Sequence, residues 1–545
     1  MDQSMQKKLN IALGFIMGGF ILWGAIFIYR TSYVAFDGKR YFCLFDDAMI
    51  SMRYAWNFSH GFGLVWNAGE FIQGYTNLLM VLAMSLATLI FDKVMAVLFI
   101  QLLGILLMLA VAFVCMKLVD HIIPLENQRH QAVIRVLAFF SALAYYPLVY
   151  WSLMGMETGL ITLFLLSGIL AAFNYEKSKN HKYLWLTSIF LSLTYLTRND
   201  TLVLAIPIWA YLAWGSIRSF KKITFKDFKY LIGGLSIYAL CIVGQFLFQY
   251  LYYGEFLPNT YVLKLTGMPF WLRIKDGAHF ILPFFKEIGL ILFLSSVELF
   301  FNYKKNNLLL FVIVLFSMGY QVYVGGDGWD YWRMLAPTMP LLILLFISSL
   351  NAIAIIISHK ETFGGYFLRN PIISKKNLAQ IILIVLAIGG LVIINLRFLP
   401  EIYFTRLPLT ASQNWKNIDA AIAIEKATKD DASVGVTYAG IIPYFTGRYA
   451  IDFLGKSDSY IAHLPPDLSG KASNLGMLSV PGHNKYDLNY SIKELKPTYV
   501  QRFTWGTQDL SQWAGQNYIG VAYGPIGLSL LKDSQDVYWD LVDGD

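Results

Sequence analysis

Charged side chains are scarce in this sequence. Asp, Glu, Lys and Arg make up 14% of its 545 residues, whereas soluble domains carry about 25%. Hydrophobic residues make up 57%, and they recur in runs of about 20 residues, the length that crosses a bilayer as a helix. These proportions exclude an ordinary soluble domain and predict a mainly α-helical polytopic membrane protein.

Cysteine is also scarce. The three cysteines are Cys43, Cys115 and Cys241, the last two lie in apolar runs, and no C-x-x-C pair occurs. A disulfide framework and a cysteine-based zinc site are therefore not expected.

Positive charge is in excess, with a formal net charge of +8. Such an excess is typical of nucleic-acid binding, but it is also typical of membrane proteins that keep Lys and Arg in their cytoplasmic loops. Here the basic residues cluster in short loops between apolar runs. This pattern favours the second explanation, so no nucleic-acid partner is expected.

About eleven spans are predicted. They cover residues 11–29, 94–116, 132–151, 157–174, 183–197, 201–216, 231–252, 279–300, 308–324, 334–357 and 378–396. A cytoplasmic N-terminus places most basic loops inside. The apolar segment 77–91 is short, and a crossing there would put every later basic loop outside. It is predicted to be a juxtamembrane or re-entrant helix, which is tolerated where protein buries it.

The composition divides the chain into two predicted parts. Residues 1–396 form the membrane core, with a first external loop at 30–93, and residues 397–545 form an extracytoplasmic soluble domain. In the second part polar residues and turns increase and no spanning run follows. The segments "ASVGVTYAG" (432–440) and "RYAIDFLG" (448–455) are typical of short strands bounded by glycine, which indicates an α/β domain.

Several polar side chains fall at the external ends of the predicted spans. They are Asp46, Asp47, Arg53, Glu157, Arg198, Asp200, Asn259, Lys264, Asp327, Asp330 and Arg333. Ionisable residues near the membrane usually face a cavity or a partner, so one shared external cavity is predicted. Each also has a structural explanation. Asp46, Asp47 or Glu157 could cap a helix, Arg198 and Asp200 could form a local ion pair, and Arg333 could snorkel to the interface.

A cavity that holds acids and bases at the membrane surface suits sugar transfer from a lipid phosphate. Arg or Lys would hold the phosphate and stabilise its charge as it leaves. A carboxylate would deprotonate the acceptor hydroxyl. Because adjacent carboxylates repel each other, one of Asp46 and Asp47 could have a raised pKa and be the better base.

The first external loop also resembles a known signature. The stretch "FDDAMISMRYAWNFSHGFGLVWNAGEFIQGYTNLL" is similar to the first loop of a bacterial branch of the GT-C membrane glycosyltransferases, the branch that includes the mycobacterial terminal arabinofuranosyltransferase. Further matches follow in the expected order. They are "GMETGL" (155–160), "LPNTYVLK" (257–264), "GGDGWDYWRMLAP" (325–337) and "YAGIIPYFTGRYAIDFLGKSD" (438–458).

This resemblance implies a GT-C architecture, a polyprenyl-phosphate sugar donor, and a glycan or glycolipid acceptor of the cell envelope. The protein would lie in the bacterial cytoplasmic (inner) membrane, with its C-terminal domain periplasmic. Asp46 or Asp47 would be the base, with Asp46 favoured. The sugar, the acceptor and a requirement for a divalent cation, Mg²⁺ or Mn²⁺, are left open.

The other candidate residues follow from charge and location as well as from the matched motifs. The donor-phosphate candidates are Arg53, Arg198, Lys264 and Arg333. The substrate-binding candidates are Tyr75, Thr76, Glu157, Asp200, Asn259, Asp327 and Asp330. Two rival interpretations are a flippase or transporter of lipid-linked sugars, which would need polar residues on broken helices at mid-bilayer, and a non-enzymatic membrane assembly factor.

Overall fold

The computed structural model describes residues 2–124, 127–218, 225–301, 303–329, 331–359, 375–471 and 477–542. Within these ranges, eight helices are long and apolar enough to cross a membrane, or nine if the bent pair Gln128–Ala144 and Tyr146–Leu153 counts as one span. The chain is therefore a mainly helical, multi-pass membrane protein, as predicted.

The helices of the membrane part run in sequence order from the N-terminus. They are α1 (Gln3–Thr31), α2 (Asp46–Ser59), α3 (Leu78–Ile90), α4 (Lys93–Leu118), α5 (Gln128–Ala144), α6 (Tyr146–Leu153), α7 (Thr158–Ser178), α8 (Lys182–Thr197), α9 (Leu202–Arg218), α10 (Phe225–Tyr253), α11 (Asn259–Leu265), α12 (Phe270–Phe301), α13 (Lys305–Val324), α14 (Met339–His359), α15 (Lys375–Asn395) and α16 (Leu399–Ile402). A short hairpin, β1 (Tyr33–Val34) with β2 (Arg40–Tyr41), precedes α2.

Each of the predicted spans overlaps at least one of these helices. Helices α8 and α9 contain 16 and 17 residues, and α5 and α6 meet at a bend of 57°. Helix α3 is mainly apolar and contains 13 residues. Its length of about 20 Å is too short for a hydrocarbon core of about 30 Å, which agrees with the prediction that 77–91 does not span.

Helix α14 lies at the centre of the bundle, because 83% of the residues in its apolar stretch are buried.

Small residues let other helices approach closely. A Cβ atom on Gly104 of α4 would lie 2.4 Å from the backbone oxygen of Ser152 in α6, so only glycine fits at this crossing. Such close packing fixes the relative positions of the helix ends, near which the candidate residues lie.

The C-terminal part is an α/β domain, as predicted. Its elements are α17 (Ala411–Ala427), β3 (Ser433–Val436), α18 (Ile441–Thr446), β4 (Tyr449–Asp452), α19 (Ser459–His463), β5 (Tyr499–Val500), β6 (Thr504–Trp505), β7 (Gln508–Asp509), α20 (Ser511–Asn517), β8 (Tyr518–Tyr523), β9 (Ile526–Leu531) and α21 (Trp539–Val542). The main sheet has the order β4-β3-β5-β9-β8. Strand β3 is parallel to β4 and β5, and β9 is antiparallel to β5 and β8.

The two parts of the chain share one buried interface. Helix α18 packs against α2, and buried residues of both helices belong to one hydrophobic core. A Cβ atom on Gly440, just before α18, would lie 2.0 Å from the backbone oxygen of Asp46. The predicted boundary between residues 396 and 397 stays a prediction.

Candidate active site

Asp46 is buried against the C-terminal domain. Its two carboxylate oxygens accept hydrogen bonds from the backbone N–H groups of Ile441 (3.0 Å) and Gly440 (3.2 Å). Burial raises the pKa of Asp46 to about 6, although the two amides and Lys456 oppose this shift. Asp46 therefore holds the start of α18 on α2, and both of its oxygens are engaged by backbone amides.

Asp47 points in another direction, because successive residues of a helix are about 100° apart. Its Oδ2 atom accepts from Arg333 Nη1 at 2.7 Å, and its Oδ1 atom contacts Lys456 Nζ. Burial alone would raise the pKa of Asp47, but the charges of Lys456 and Arg333 outweigh burial and hold this pKa well below its usual range. Asp47 is thus an ionised carboxylate between two cations from distant parts of the chain.

Arg333 joins Asp47 to a second carboxylate. Its Nε and Nη2 atoms donate to the two oxygens of Asp327, each at 3.0 Å, and its guanidinium lies 5.7 Å from the centre of the Trp151 ring. Burial opposes the charge, but Asp327 and Asp47 raise the pKa of Arg333 above its ordinary value. Arg333 is therefore a fixed cation rather than a mobile side chain at the interface.

A second ion-pair cluster lies around Arg198. This residue donates to Glu157 at 2.7 Å and to Asp200 at 2.9 Å. Glu157 occupies the N-cap position of α7 but makes no capping hydrogen bond with its side chain; it accepts from Asn77 at 3.2 Å instead. The predicted ion pair of Arg198 with Asp200 is thus present and extends to Glu157.

One pocket joins the two clusters. It encloses a small cavity of about 30 Å³ and is lined by Glu157, Thr158, Ile161, Arg198, Asp200, Thr201, Val203, Leu204, Ser317, Tyr320, Arg333, Met334 and Pro337. The structure therefore brings Glu157, Arg198, Asp200 and Arg333 together, although they are spread widely over the sequence. This shared pocket is the candidate active site.

Lys264 on α11 is a further cation of this region. Burial lowers its pKa to about 8, and the neighbouring charges of Arg333 and Arg198 act in the same direction. Within the described part of the chain, its side chain forms no salt bridge or hydrogen bond. Lys264 can therefore bind an anion without first breaking an ion pair with any described carboxylate.

Arg53 lies away from this group. It donates to the backbone oxygens of Trp66 (2.6 Å), Arg448 (2.7 Å) and Pro443 and to the side chain of Asn67 (3.2 Å). Every guanidinium nitrogen is used by protein oxygens. This geometry gives Arg53 a structural part between α2 and the C-terminal domain, and phosphate binding by Arg53 stays an untested prediction.

The remaining candidates also contact protein groups. The Asn259 amide donates to the backbone oxygens of Gly455, Lys456 and Asp458 at 2.9, 3.1 and 3.2 Å. Tyr75 is buried, with its hydroxyl 3.1 Å from that of Tyr253, and Thr76 is half-buried. Asp330 lies outside the described residues.

Lys456 is the site residue that sequence reasoning missed. It follows β4 in a turn that Asp452 holds by accepting from the backbone N–H groups of Leu454 (3.0 Å) and Ser457 (2.8 Å). His483 is also close, and burial lowers its pKa to about 4. Lys456 lies inside a matched motif, but nothing in the sequence connects it with Asp47.

A metal site was left open, and the described residues contain no group of three or more His, Cys, Asp or Glu side chains that could hold one. Both oxygens of Asp47 contact cations, and those of Asp327 contact Arg333. In this arrangement they do not fit Mg²⁺ or Mn²⁺, which take oxygen ligands that are free to coordinate. The requirement for a divalent cation, which the sequence left open, stays untested.

Comparison with known proteins adds a fold and a domain family. Residues 405–537 match a domain of unknown function (DUF8728), and a search of curated proteins by sequence found no match. The structure of ArnT from Cupriavidus metallidurans bound to undecaprenyl phosphate is similar, with a TM-score of 0.52 at 10% identity over 80% of this chain and 85% of that chain.

A second similar structure is the oligosaccharyltransferase AglB from Archaeoglobus fulgidus in complex with an inhibitory peptide and a dolichol-phosphate. It has a TM-score of 0.49 at 13% identity over 96% of this chain and 74% of that chain. At such identities the likeness concerns the fold. The ArnT structure shows that this chain shares its fold, and this GT-C-like fold is the one that the resemblance in the first loop implies.

Proposed function

We propose that this protein is a membrane glycosyltransferase that transfers a sugar from a polyprenyl-phosphate donor to a glycan or glycolipid of the cell envelope. The observation that carries the proposal is one pocket that Arg198 and Arg333 both line, with the ionised Asp47 paired to Arg333. The GT-C fold, which this chain shares with an ArnT structure that holds undecaprenyl phosphate, supports the choice of donor. The N-terminus is proposed to be cytoplasmic, and the C-terminal domain to face the outside of the bacterial cytoplasmic membrane.

The donor phosphate is proposed to bind Arg198, Lys264 and Arg333. Arginine suits this task because its planar donors match phosphate oxygens. Lys264 supplies a charge that no described carboxylate neutralises. When the bond between the sugar's anomeric carbon and the phosphate oxygen breaks, the electron pair stays on the phosphate, and these cations stabilise the charge that develops.

Asp47 is proposed to be the base. It accepts the proton of the acceptor hydroxyl while the acceptor oxygen forms the new bond to the anomeric carbon. Asp47 is preferred to Asp46, which the sequence favoured, because both oxygens of Asp46 are held by backbone amides in a buried position. Glu157, Asp200 and Asp327 would orient the cations that hold the donor.

An apolar groove beside the pocket suits the polyprenyl chain. Its lining includes Phe58, Leu82, Leu86, Leu160, Phe164 and Leu193. Leu160 lies in the first turn of α7, just after Glu157. Leu193 lies in the last turns of α8, just before Arg198. The groove therefore runs beside the charged pocket. A lipid tail in this groove would place its phosphate at the level of Arg198.

The finer assignment rests on the motifs of the first loop. We propose the branch that includes the mycobacterial terminal arabinofuranosyltransferase, since its pattern matches from Asp46 to Thr76. The sugar and the acceptor are left open by this assignment.

The test is the structure of the envelope glycans in a strain that lacks this protein. Mass spectrometry and linkage analysis should find one glycan that has lost a sugar, and the wild-type gene should restore it. Asp47→Asn should lower transfer at least about 100-fold, whereas Asp509→Asn, at an exposed carboxylate of the C-terminal domain, should restore the glycan fully. Unchanged glycans in the deletion strain would refute the proposed function, and full restoration by Asp47→Asn would refute the base.

A further inference from the structure

Asp47 forms one salt bridge with each of the two parts of the chain. One of its oxygens contacts Arg333, which lies before α14 in the membrane part, and the other contacts Lys456, which lies after β4 in the C-terminal domain. The side chains of Asp47 and Lys456 keep 18% and 17% of their surface exposed. Both side chains are therefore partly accessible, and Arg333, the other partner of Asp47, lines the pocket.

Lys456 is held firmly in this position. The carboxylate of Asp452 fixes its turn from the side of the sheet, and the amide of Asn259 fixes it from the side of α11. No described carboxylate other than Asp47 forms a salt bridge with Lys456. The turn thus aims one cation of the C-terminal domain at a single partner.

Arg333 and Lys456 would keep different numbers of partners if the carboxylate of Asp47 moved away from them. Arg333 would keep its two hydrogen bonds to Asp327, but Lys456 would lose its only salt bridge among the described residues. A buried ammonium without an anion is costly. Any ligand that displaces Asp47 must therefore bring negative charge to Lys456.

We propose that Lys456 makes the C-terminal domain part of the donor-phosphate subsite, and that the phosphate exchanges with Asp47 for Lys456 and Arg333. This inference rests on the proposed function. A phosphate offers more oxygen acceptors than a carboxylate, so it can satisfy both cations at once. Asp47, released from its partners, then regains the basicity that it needs to take a proton from the acceptor.

The exchange gives opposite effects for the two partners of one salt bridge. In the purified full-length protein, binding of undecaprenyl phosphate can be measured by native mass spectrometry, without knowledge of the sugar. Lys456→Gln should weaken binding about tenfold, because a charge-assisted hydrogen bond is lost. Asp47→Asn should tighten binding about threefold, because the competing carboxylate is removed.

Two matched variants separate exchange from a general change of charge. Asp46→Asn removes the neighbouring carboxylate, which is bonded to amides rather than to cations, and should leave the affinity within about twofold. Lys471→Gln removes an exposed lysine of the same domain and should have no effect. Lys456→Arg should retain most of the affinity, which also shows that loss in Lys456→Gln is not a folding defect.

Failure of the inference differs from failure of the proposed function. A wild-type protein that binds no undecaprenyl phosphate would refute both. Binding by the wild type with equal affinity in Lys456→Gln, or with equal tightening by Asp46→Asn and Asp47→Asn, would refute the exchange alone. With inorganic phosphate as the probe, the same order of variants is expected at lower affinity, and an order seen only with inorganic phosphate would refute a role for Lys456 in binding the lipid donor.

Discussion

Asp46 and Asp47 are neighbours in the chain, but their side chains have different surroundings. Asp46 meets two backbone amides in a buried interface, and Asp47 meets two cations beside a pocket. The consequence is that their pKa values move apart. Burial raises the pKa of Asp46 to about 6, whereas Lys456 and Arg333 outweigh burial and lower the pKa of Asp47.

This separation predicts the pH dependence of the reaction. The profile of kcat/KM reports ionisations of the free enzyme. If Asp47 is the base, it stays ionised from neutral pH down to well below pH 4, so no fall of kcat/KM near pH 6 is expected from the base. A steady-state profile between pH 5 and 8 checks this expectation in the wild type.

The alternative base gives a different profile. If Asp46 took the proton, kcat/KM would fall as the pH drops through about 6, where Asp46 becomes protonated. A limb near pH 6 that disappears in Asp46→Asn, with transfer retained in Asp47→Asn, would contradict the assignment of Asp47.

At the scale of elements, the turn that carries Arg333 is strained. Tyr331 and Trp332 have φ angles of 67° and 53°, a left-handed conformation that is unfavourable for bulky side chains. Three contacts hold them. The Tyr331 hydroxyl donates to Glu401, the Trp332 indole donates to Glu287 at 2.6 Å, and the Trp151 indole donates to the backbone oxygen of Tyr331 at 2.9 Å. The bundle therefore holds the turn in the conformation that aims Arg333 at Asp47.

Tyr331→Phe should make the turn that carries Arg333 more mobile. It removes the hydrogen bond to Glu401, worth about 1 kcal/mol, and should lower kcat about fivefold with a smaller change in KM for the acceptor. The matched control is Tyr146→Phe, which removes the other tyrosine hydroxyl on Glu401, at 2.9 Å, but does not lie in the turn. Equal losses of kcat in both variants would show that Glu401, rather than the turn, is what matters.

At the scale of the whole molecule, one face of α2 joins the membrane part to the C-terminal domain. Asp46 and Arg53 are seven residues apart and therefore lie on the same face. Asp46 binds the amides before and at the start of α18, and Arg53 binds carbonyl oxygens at Pro443 and Arg448. The base on α2 and Lys456 in the C-terminal domain are positioned by the same interface.

Arg53→Lys should weaken this interface. Lysine cannot reproduce the planar set of donors, and the oxygens left unpaired should cost about 2–4 kcal/mol of unfolding free energy. Thermal unfolding of the detergent-solubilised protein should shift to lower temperature, and limited proteolysis should release the C-terminal domain sooner. The exposed Arg502, changed to Lys, is the control. An unchanged unfolding temperature in Arg53→Lys would show that the interface does not depend on Arg53.

The sequence by itself determined the membrane class, the approximate spans, the short helix α3, and the strands at 433–436 and 449–452. These features depend on the local length, periodicity and charge of a segment, which are written in consecutive residues. It also indicated that Glu157, Arg198, Asp200 and Arg333 could meet, because all were predicted to lie on one side of the membrane.

Only the tertiary structure decided which contacts each of these residues makes, and therefore which role each can have. The partners of Asp46 and Arg53 are backbone amides and carbonyls, which every residue carries and no sequence pattern identifies. One of the two partners of Asp47 is Lys456, 409 residues further along the chain, and the packing of α18 on α2 brings it there. A single sequence records which charges a protein has, but the contacts that set their pKa values and availability arise from the folding of distant segments onto one another.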